Sequence, residues 1–169
     1  ACDPDFSIEM LKSNFLSKAP DTEFREELLT LSLPYTLPLT HYLLCVYEAD
    51  GFNRKEIWTT PGRGNNTVEH ILPQTIKAST RWGEYWIDQF GSLEHCAAYK
   101  ERMGNYAFLT KRAQSMALNK NFSAKKIIYQ NETDMKLTQE LAQYECWTPE
   151  TIKERQKKMT DVWVESISF

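Results

Sequence analysis

The chain has no apolar run approaching the roughly eighteen residues of a membrane span, so no membrane partner is expected. Its first residues, Ala-Cys-Asp-Pro-Asp, carry neither the basic region nor the apolar core of a secretory leader. An initiator methionine is also missing, which points to a piece of a longer polypeptide. The four cysteines, Cys2, Cys45, Cys96 and Cys146, form no Cys-x-x-Cys pair, so a thiolate zinc site has no spacing to support it. Scattered thiols of this kind read as reduced, and the chain as cytoplasmic. Residues 61–66 (Pro-Gly-Arg-Gly-Asn-Asn) form a loop that matches no Walker or dinucleotide pattern, and they read as a connector. There is no internal repeat and no low-complexity tract.

What is present suits one folded domain. Over 169 residues, 41% are hydrophobic and 12% aromatic, which excludes a disordered class. A chain of this length buries about two-thirds of its unfolded surface. The net charge of −3 argues against a protein that coats nucleic acid generally. The charge is unevenly placed, however. Residues 1–30 carry seven acids against three bases, whereas residues 105–131 hold no acid and five bases: Lys111, Arg112, Lys120, Lys125 and Lys126. A positive face on an acidic protein suits a polyanion touched at one place.

The first sixty residues read as helical. Ser7 is placed to cap a helix bearing Ile8, Leu11, Phe15 and Leu16 on one face. Phe24, Leu28 and Leu31 mark a second helix, and Leu39, Leu43, Val46 and Tyr47 a third that ends at Asp50-Gly51. His41 in the third helix reads as a packed or surface residue. Further on, Trp82, Trp86 and Phe90 form an aromatic stripe, and Leu93, Tyr99 and Met103 another beyond Gly91-Ser92. His95 beside Glu94 reads as a surface residue on this helix. A strand is expected over 105–110, a helix from Lys111 past Gln114 to Asn119, and more helix over 122–129 and 135–144. Thr148-Pro149 has the signature of a helix start, with Ile152, Met159, Val162 and Trp163 facing inward.

Residues 67–74, Thr-Val-Glu-His-Ile-Leu-Pro-Gln, set an acid beside a histidine on a short strand of Val68, Ile71 and Leu72 that Pro73 ends. Such a pair can supply a metal ligand and a general base together. It can also be a surface Glu beside a half-buried His. Consecutive residues of a regular strand point to opposite faces, so Glu69 and His70 share a site only where the backbone is irregular.

The order is strand (Glu69-His70), helical insert, strand (Asn105), helix (Gln114, Asn119). It resembles the HNH, or ββα-metal (His-Me finger), nucleases. More closely it resembles the C-terminal nuclease domain of GmrSD-type, modification-dependent restriction proteins. The matching residues are Val68-Glu-His-Ile-Leu-Pro-Gln74 and Gly104-Asn-Tyr-Ala-Phe-Leu-Thr110. Asn119, Phe122, Lys125-Lys126 and Tyr129 follow, and then Trp147, Ile152 and Arg155.

The resemblance implies a mainly α fold with a small β-hairpin, a helical scaffold around a ββα-metal core. Residues 1–169 then form one domain: a helical lead-in (1–60), the core (66–130) with its insert (76–103), and C-terminal helices (131–169). It implies a DNA endonuclease dependent on Mg²⁺ or Mn²⁺ that restricts foreign or modified DNA. Its implied partner is an N-terminal sensor and NTPase domain of the same polypeptide or system. His70 would be the general base, Glu69 a metal ligand, and Asn105 the middle Asn that aims His70 at the attacking water. Lys111, Arg112, Lys120, Lys125, Lys126 and Arg155 would meet DNA phosphates. The family sets a His or Asn about nine residues after the middle Asn. Gln114 stands there in this chain, and Asn119 is a second candidate ligand.

The chemistry needs such groups. Phosphodiester hydrolysis takes an activated water, neutralised phosphate charge and a stabilised leaving oxygen. A neutral His accepts a proton near pH 7, and a hard divalent cation prefers oxygen ligands and keeps several waters. A competing reading is a degenerate binding module that keeps the basic face but has lost its metal through Gln114. A purely structural helical domain is a third.

Overall fold

The computed structural model describes residues 21–53 and 66–167. The helix expected after Ser7, Cys2 and most of the 61–66 loop lie outside the described residues. In chain order the elements are α1 (Asp21–Thr30), α2 (Pro38–Gly51), β1 (Asn66–His70), α3 (Arg81–Phe90) and α4 (Leu93–Tyr99). A 3₁₀ turn (Met103–Asn105) leads into β2 (Tyr106–Thr110) and α5 (Lys111–Ala117). Then come α6 (Phe122–Asn131), α7 (Lys136–Gln139), a second 3₁₀ turn (Glu140–Gln143) and α8 (Pro149–Ile167). Among the described residues the fold is mainly helical with one two-stranded antiparallel sheet.

Local chemistry explains where the elements start and stop. Pro38 sits in the first turn of α2, where its missing N–H leaves no helical bond unmade. Thr80, Ser92, Thr110 and Asn121 each cap a helix by accepting a backbone N–H three residues on. Gly91 closes α3 at φ +82°, a conformation that costs a side-chain-bearing residue. The expected break at Gly91-Ser92 is therefore a C-cap joined to an N-cap.

The sheet pairs Asn66 with Thr110 and His70 with Tyr106. Thr138 of α7 satisfies the outer edge of β2, its hydroxyl accepting from Phe108 N (3.1 Å) and donating to Phe108 O (2.7 Å). Glu48 of α2 caps α7 in turn, accepting from Lys136 N (2.9 Å) and Leu137 N (2.6 Å).

Helix α8 packs against α1, α2 and the first 3₁₀ turn. Ile152, Met159 and Trp163 are buried as its apolar pattern predicts, and Val162 is half-buried. Trp163 Nε1 donates to Leu43 O at 2.8 Å, and Gln156 Nε2 to Leu28 O and Leu31 O at 2.9 Å each. Gly104 lies so close to α8 that a Cβ there would sit 2.4 Å from Ile152 O. That contact is the reason for glycine before Asn105.

Several expected boundaries shift. The strand expected to carry Ile71 and Leu72 up to Pro73 ends at His70, because Ile71 N and Leu72 N bond to Asn105 instead of continuing the ladder. The strand over 105–110 begins at Tyr106, because Asn105 belongs to the 3₁₀ turn. The helix from Lys111 ends at Ala117, where Leu118 turns the chain at φ +40°. The 135–144 stretch is one turn of α7 followed by a 3₁₀ turn. In the aromatic stripe Trp86 and Phe90 are buried, but Trp82 is half-buried and stacks under Arg81.

Candidate active site

Strand β1 ends at His70, and Asn105 fixes the chain that follows. Its Oδ1 accepts from Leu72 N (2.8 Å) and Trp147 Nε1 (3.0 Å). Its Nδ2 donates to Leu72 O (3.1 Å) and Lys100 O (2.9 Å). Its backbone carbonyl accepts from Ile71 N at 3.0 Å. The buried amide thus uses its whole hydrogen-bonding capacity to lock the exit from β1 onto the turn before β2.

The His70 ring is gripped edge-on by Tyr106 and Tyr35, with centroids 4.9 and 5.2 Å away. Its Nε2 lies 3.5 Å from Glu101 Oε1, long for a hydrogen bond, and makes none among the described residues. The Tyr106 hydroxyl binds the other Glu101 oxygen and Leu33 O. Burial holds the imidazole below its usual 6.5, while the charges of Glu101 and Glu69 pull the opposite way. The ring is therefore neutral at pH 7.

Glu69 is 3% exposed. Its Oε1 accepts from Lys125 Nζ (2.7 Å) and from the Tyr129 hydroxyl (3.2 Å). Oε2 has no partner among the described residues. Lys125 also donates to His70 O at 2.8 Å. Burial pushes the Lys125 ammonium down, and Glu69 partly restores it.

A cleft of about 380 Å³ opens where β1 meets α5. Glu69, His70, Lys111, Gln114 and Asn119 all border it. The two motif side chains keep the strand's alternation in their contacts, Glu69 against Lys125 and Tyr129 and the His70 ring against Tyr35 and Tyr106. Gln114 is engaged with β1: its Nε2 donates to Val68 O (3.0 Å) and its Oε1 accepts from the Thr67 hydroxyl (3.0 Å). The Val68 carbonyl, which can only accept, fixes which end of the amide faces it. Asn119 is exposed and donates through Nδ2 to Thr75 O at 3.0 Å, which leaves its Oδ1 unpartnered among the described residues.

The expected phosphate-binding residues divide by burial. Lys111 and Arg112 are exposed and Lys120 is half-buried. Arg112 lies 3.9 Å from Glu132, a loose surface pair. Lys126 is half-buried and donates to Tyr144 O at 2.8 Å. Lys125 and Arg155 do not fit the expectation, because both are fully buried. Arg155 donates to Glu140, Gly104 O, Tyr106 O and Leu137 O, tying α8 to the turn before β2 and to α7.

Sequence reasoning missed Glu101. It reads as one charge in a polar Lys-Glu-Arg run, and only the return of the α3–α4 insert brings it to His70. The Trp147 contact on Asn105 was equally invisible, being set by packing across 42 residues of chain.

Among the described residues no three His, Cys, Asp or Glu side chains are grouped to hold a metal. The donors that border the cleft are one carboxylate, one imidazole, the three amides of Gln74, Gln114 and Asn119, and the hydroxyls of Thr75 and Ser115. Oxygen donors with room for water are the surroundings Mg²⁺ requires, since it is bound through one or two carboxylates and keeps several waters. No helix among the described residues is long and apolar enough to cross a membrane.

Searches of curated proteins and of solved structures gave no match. The family model that matches describes restriction endonucleases, a role of nuclease type with DNA as substrate. It aligns with residues 18–162, the greater part of the chain, and so covers both strands, the insert between them, the cleft and most of α8. The chain belongs to the family of the C-terminal domain of GmrSD restriction endonucleases.

Proposed function

We propose that this domain is an HNH-type endonuclease that hydrolyses DNA phosphodiesters with a divalent cation and His70 as general base. One observation carries the reading: a histidine, a carboxylate and an exposed amide border one cleft, with Lys111 at its edge. His70 takes a proton from water through Nδ1, the ring nitrogen that does not face Glu101. The water oxygen bonds to phosphorus, the bond to the leaving oxygen breaks, and that oxygen is protonated from solvent. Tyr35 and Tyr106 pack the ring edge-on, and Asn105 fixes the backbone that follows it. Glu69 through Oε2 and Asn119 through Oδ1 would hold Mg²⁺ or Mn²⁺, which when bound supplies charge neutralisation at the phosphate. Lys111, Arg112 and Lys120 meet the flanking backbone. By family likeness the substrate is foreign or modified DNA, sensed by a separate N-terminal NTPase domain.

Plasmid nicking tests this. Wild type with Mg²⁺ or Mn²⁺ nicks supercoiled DNA, while EDTA and His70→Ala each abolish nicking without changing the far-UV circular dichroism.

A degenerate binding module is the second reading, and a specific arrangement favours it. Lys125 neutralises the one carboxylate bordering the cleft, and Gln114, where the family has a His or Asn, is occupied with β1. A chain that shifts DNA at low salt but never nicks it establishes this reading instead.

A further inference from the structure

Leu118 stands where neither its side chain nor its backbone belongs on local grounds. The chain from Ala117 to Lys120 is a tight turn closed by Lys120 N donating to Ala117 O at 3.1 Å. Leu118 occupies its second position with φ +40° and ψ −130°. These angles approach the type II′ conformation, whose second position glycine favours because a Cβ there is strained. The side chain is also 63% exposed, and it lines the proposed catalytic cleft beside Asn119. A bulky apolar residue is thus held in a glycine conformation and left in water at the edge of the site. Neither folding nor solubility is served by that choice, and glycine would relieve both costs. The surrounding charge is positive, with Lys120 closing the same turn and Lys111 of α5 bordering the same cleft.

We propose that Leu118 is an apolar wedge for double-stranded DNA, inserted against the stacked base edges of the duplex beside the phosphate held in the cleft. The inference rests on the nuclease reading and adds a contact that distorts the substrate. The physics is that of side chains which part base steps: unstacking costs free energy, and the apolar contact with a deformed duplex offsets it. The turn fixes the wedge at the end of α5, so its reach follows that of Gln114 and Lys111. Strain in this turn would be kept because it aims the side chain outward rather than back onto the helix.

The test uses His70→Ala, which binds without cutting, and a duplex with 2-aminopurine spread along one strand. Fluorescence rises on binding if bases are unstacked. Adding Leu118→Gly removes that rise and weakens binding about tenfold, as loss of a buried leucine contact implies. Leu118→Met retains both effects. Leu118→Gly alone unfolds at higher urea than wild type, which separates loss of the wedge from loss of fold. Equal fluorescence with and without Leu118→Gly in the His70→Ala background overturns the wedge, even if wild type nicks plasmid. A wild type that neither nicks nor binds duplex overturns the nuclease reading and the wedge with it. If Leu118→Gly binds DNA normally but no longer co-purifies with the sensor domain, the residue is a protein contact and the wedge is wrong.

Discussion

Lys125 Nζ lies 2.7 Å from Glu69 Oε1, and neither side chain is more than 4% exposed. This buried pair fixes how the acid of the Glu-His motif is presented. Both protein hydrogen bonds to the carboxylate fall on Oε1, which leaves Oε2 without a partner among the described residues. Removing one partner leaves an uncompensated buried charge, which costs about 3–5 kcal/mol. Lys125→Met therefore lowers unfolding free energy by about that amount in urea titrations. The double variant Lys125→Met/Glu69→Gln recovers much of the loss. If the single variant is as stable as wild type, the pair is not buried as described.

Asn105 gives a prediction of a different kind, because its four side-chain hydrogen bonds join three separate stretches. Asn105→Ala strands Leu72 N, Leu72 O, Lys100 O and Trp147 Nε1. Orphaned buried groups cost roughly 1–3 kcal/mol each, partly relieved by water. A loss of about 3 kcal/mol overall is expected. Hydrogen exchange at Ile71 and Leu72 should speed up together, since Asn105 holds the chain at both. Protection unchanged at these amides would show that the clamp is not what fixes the exit of β1.

Which parts were legible from sequence follows from how local their causes are. The Gly91-Ser92 break, the α8 start at Pro149 and the burial of Ile152, Met159 and Trp163 are written in neighbouring residues. The Glu-His strand, the second strand and the helix behind it were readable because motif residues arrived in order. Arg155 and Lys125 were misplaced for the opposite reason. A basic residue looks the same in sequence whether it meets solvent or a buried carboxylate, and Glu140 and Glu69 are 15 and 56 residues away. Leu118 falls inside the helix expected from Lys111 to Asn119, since nothing local announces a positive φ at leucine.

Acid should loosen the core through His41. The ring packs on Phe108, with centroids 4.7 Å apart, and Nδ1 lies 3.6 Å from Cys45 Sγ. Burial holds its pKa below 6.5. A histidine with a depressed folded pKa takes up its proton more readily in the unfolded chain. Its contribution is complete above the unfolded value of 6.5 and is lost as pH falls through the lower folded one. Stability measured by urea should thus fall between pH 7 and pH 5, and His41→Leu should flatten that fall. His70 acts with the same sign, so part of the slope persists in the variant. A steeper slope for His41→Leu would contradict the assignment.

The division of the basic residues into buried and exposed sets makes the last prediction, on DNA affinity. Binding to a duplex weakens with salt in proportion to the phosphates neutralised, with a slope near −0.9 per contact. Lys111, exposed at the cleft, should carry such a contact, so Lys111→Ala weakens binding and reduces the log–log slope by about one. Arg155 makes no contact with solvent and donates to Glu140 and three backbone carbonyls. A lysine cannot reach all four acceptors, because it lacks the planar fork. Arg155→Lys should therefore lower stability by several kcal/mol on the order of a broken buried network, while the salt slope of the folded fraction stays at the wild-type value. A reduced slope for Arg155→Lys would return this arginine to the DNA-binding surface. An unchanged slope for Lys111→Ala would remove that lysine from it.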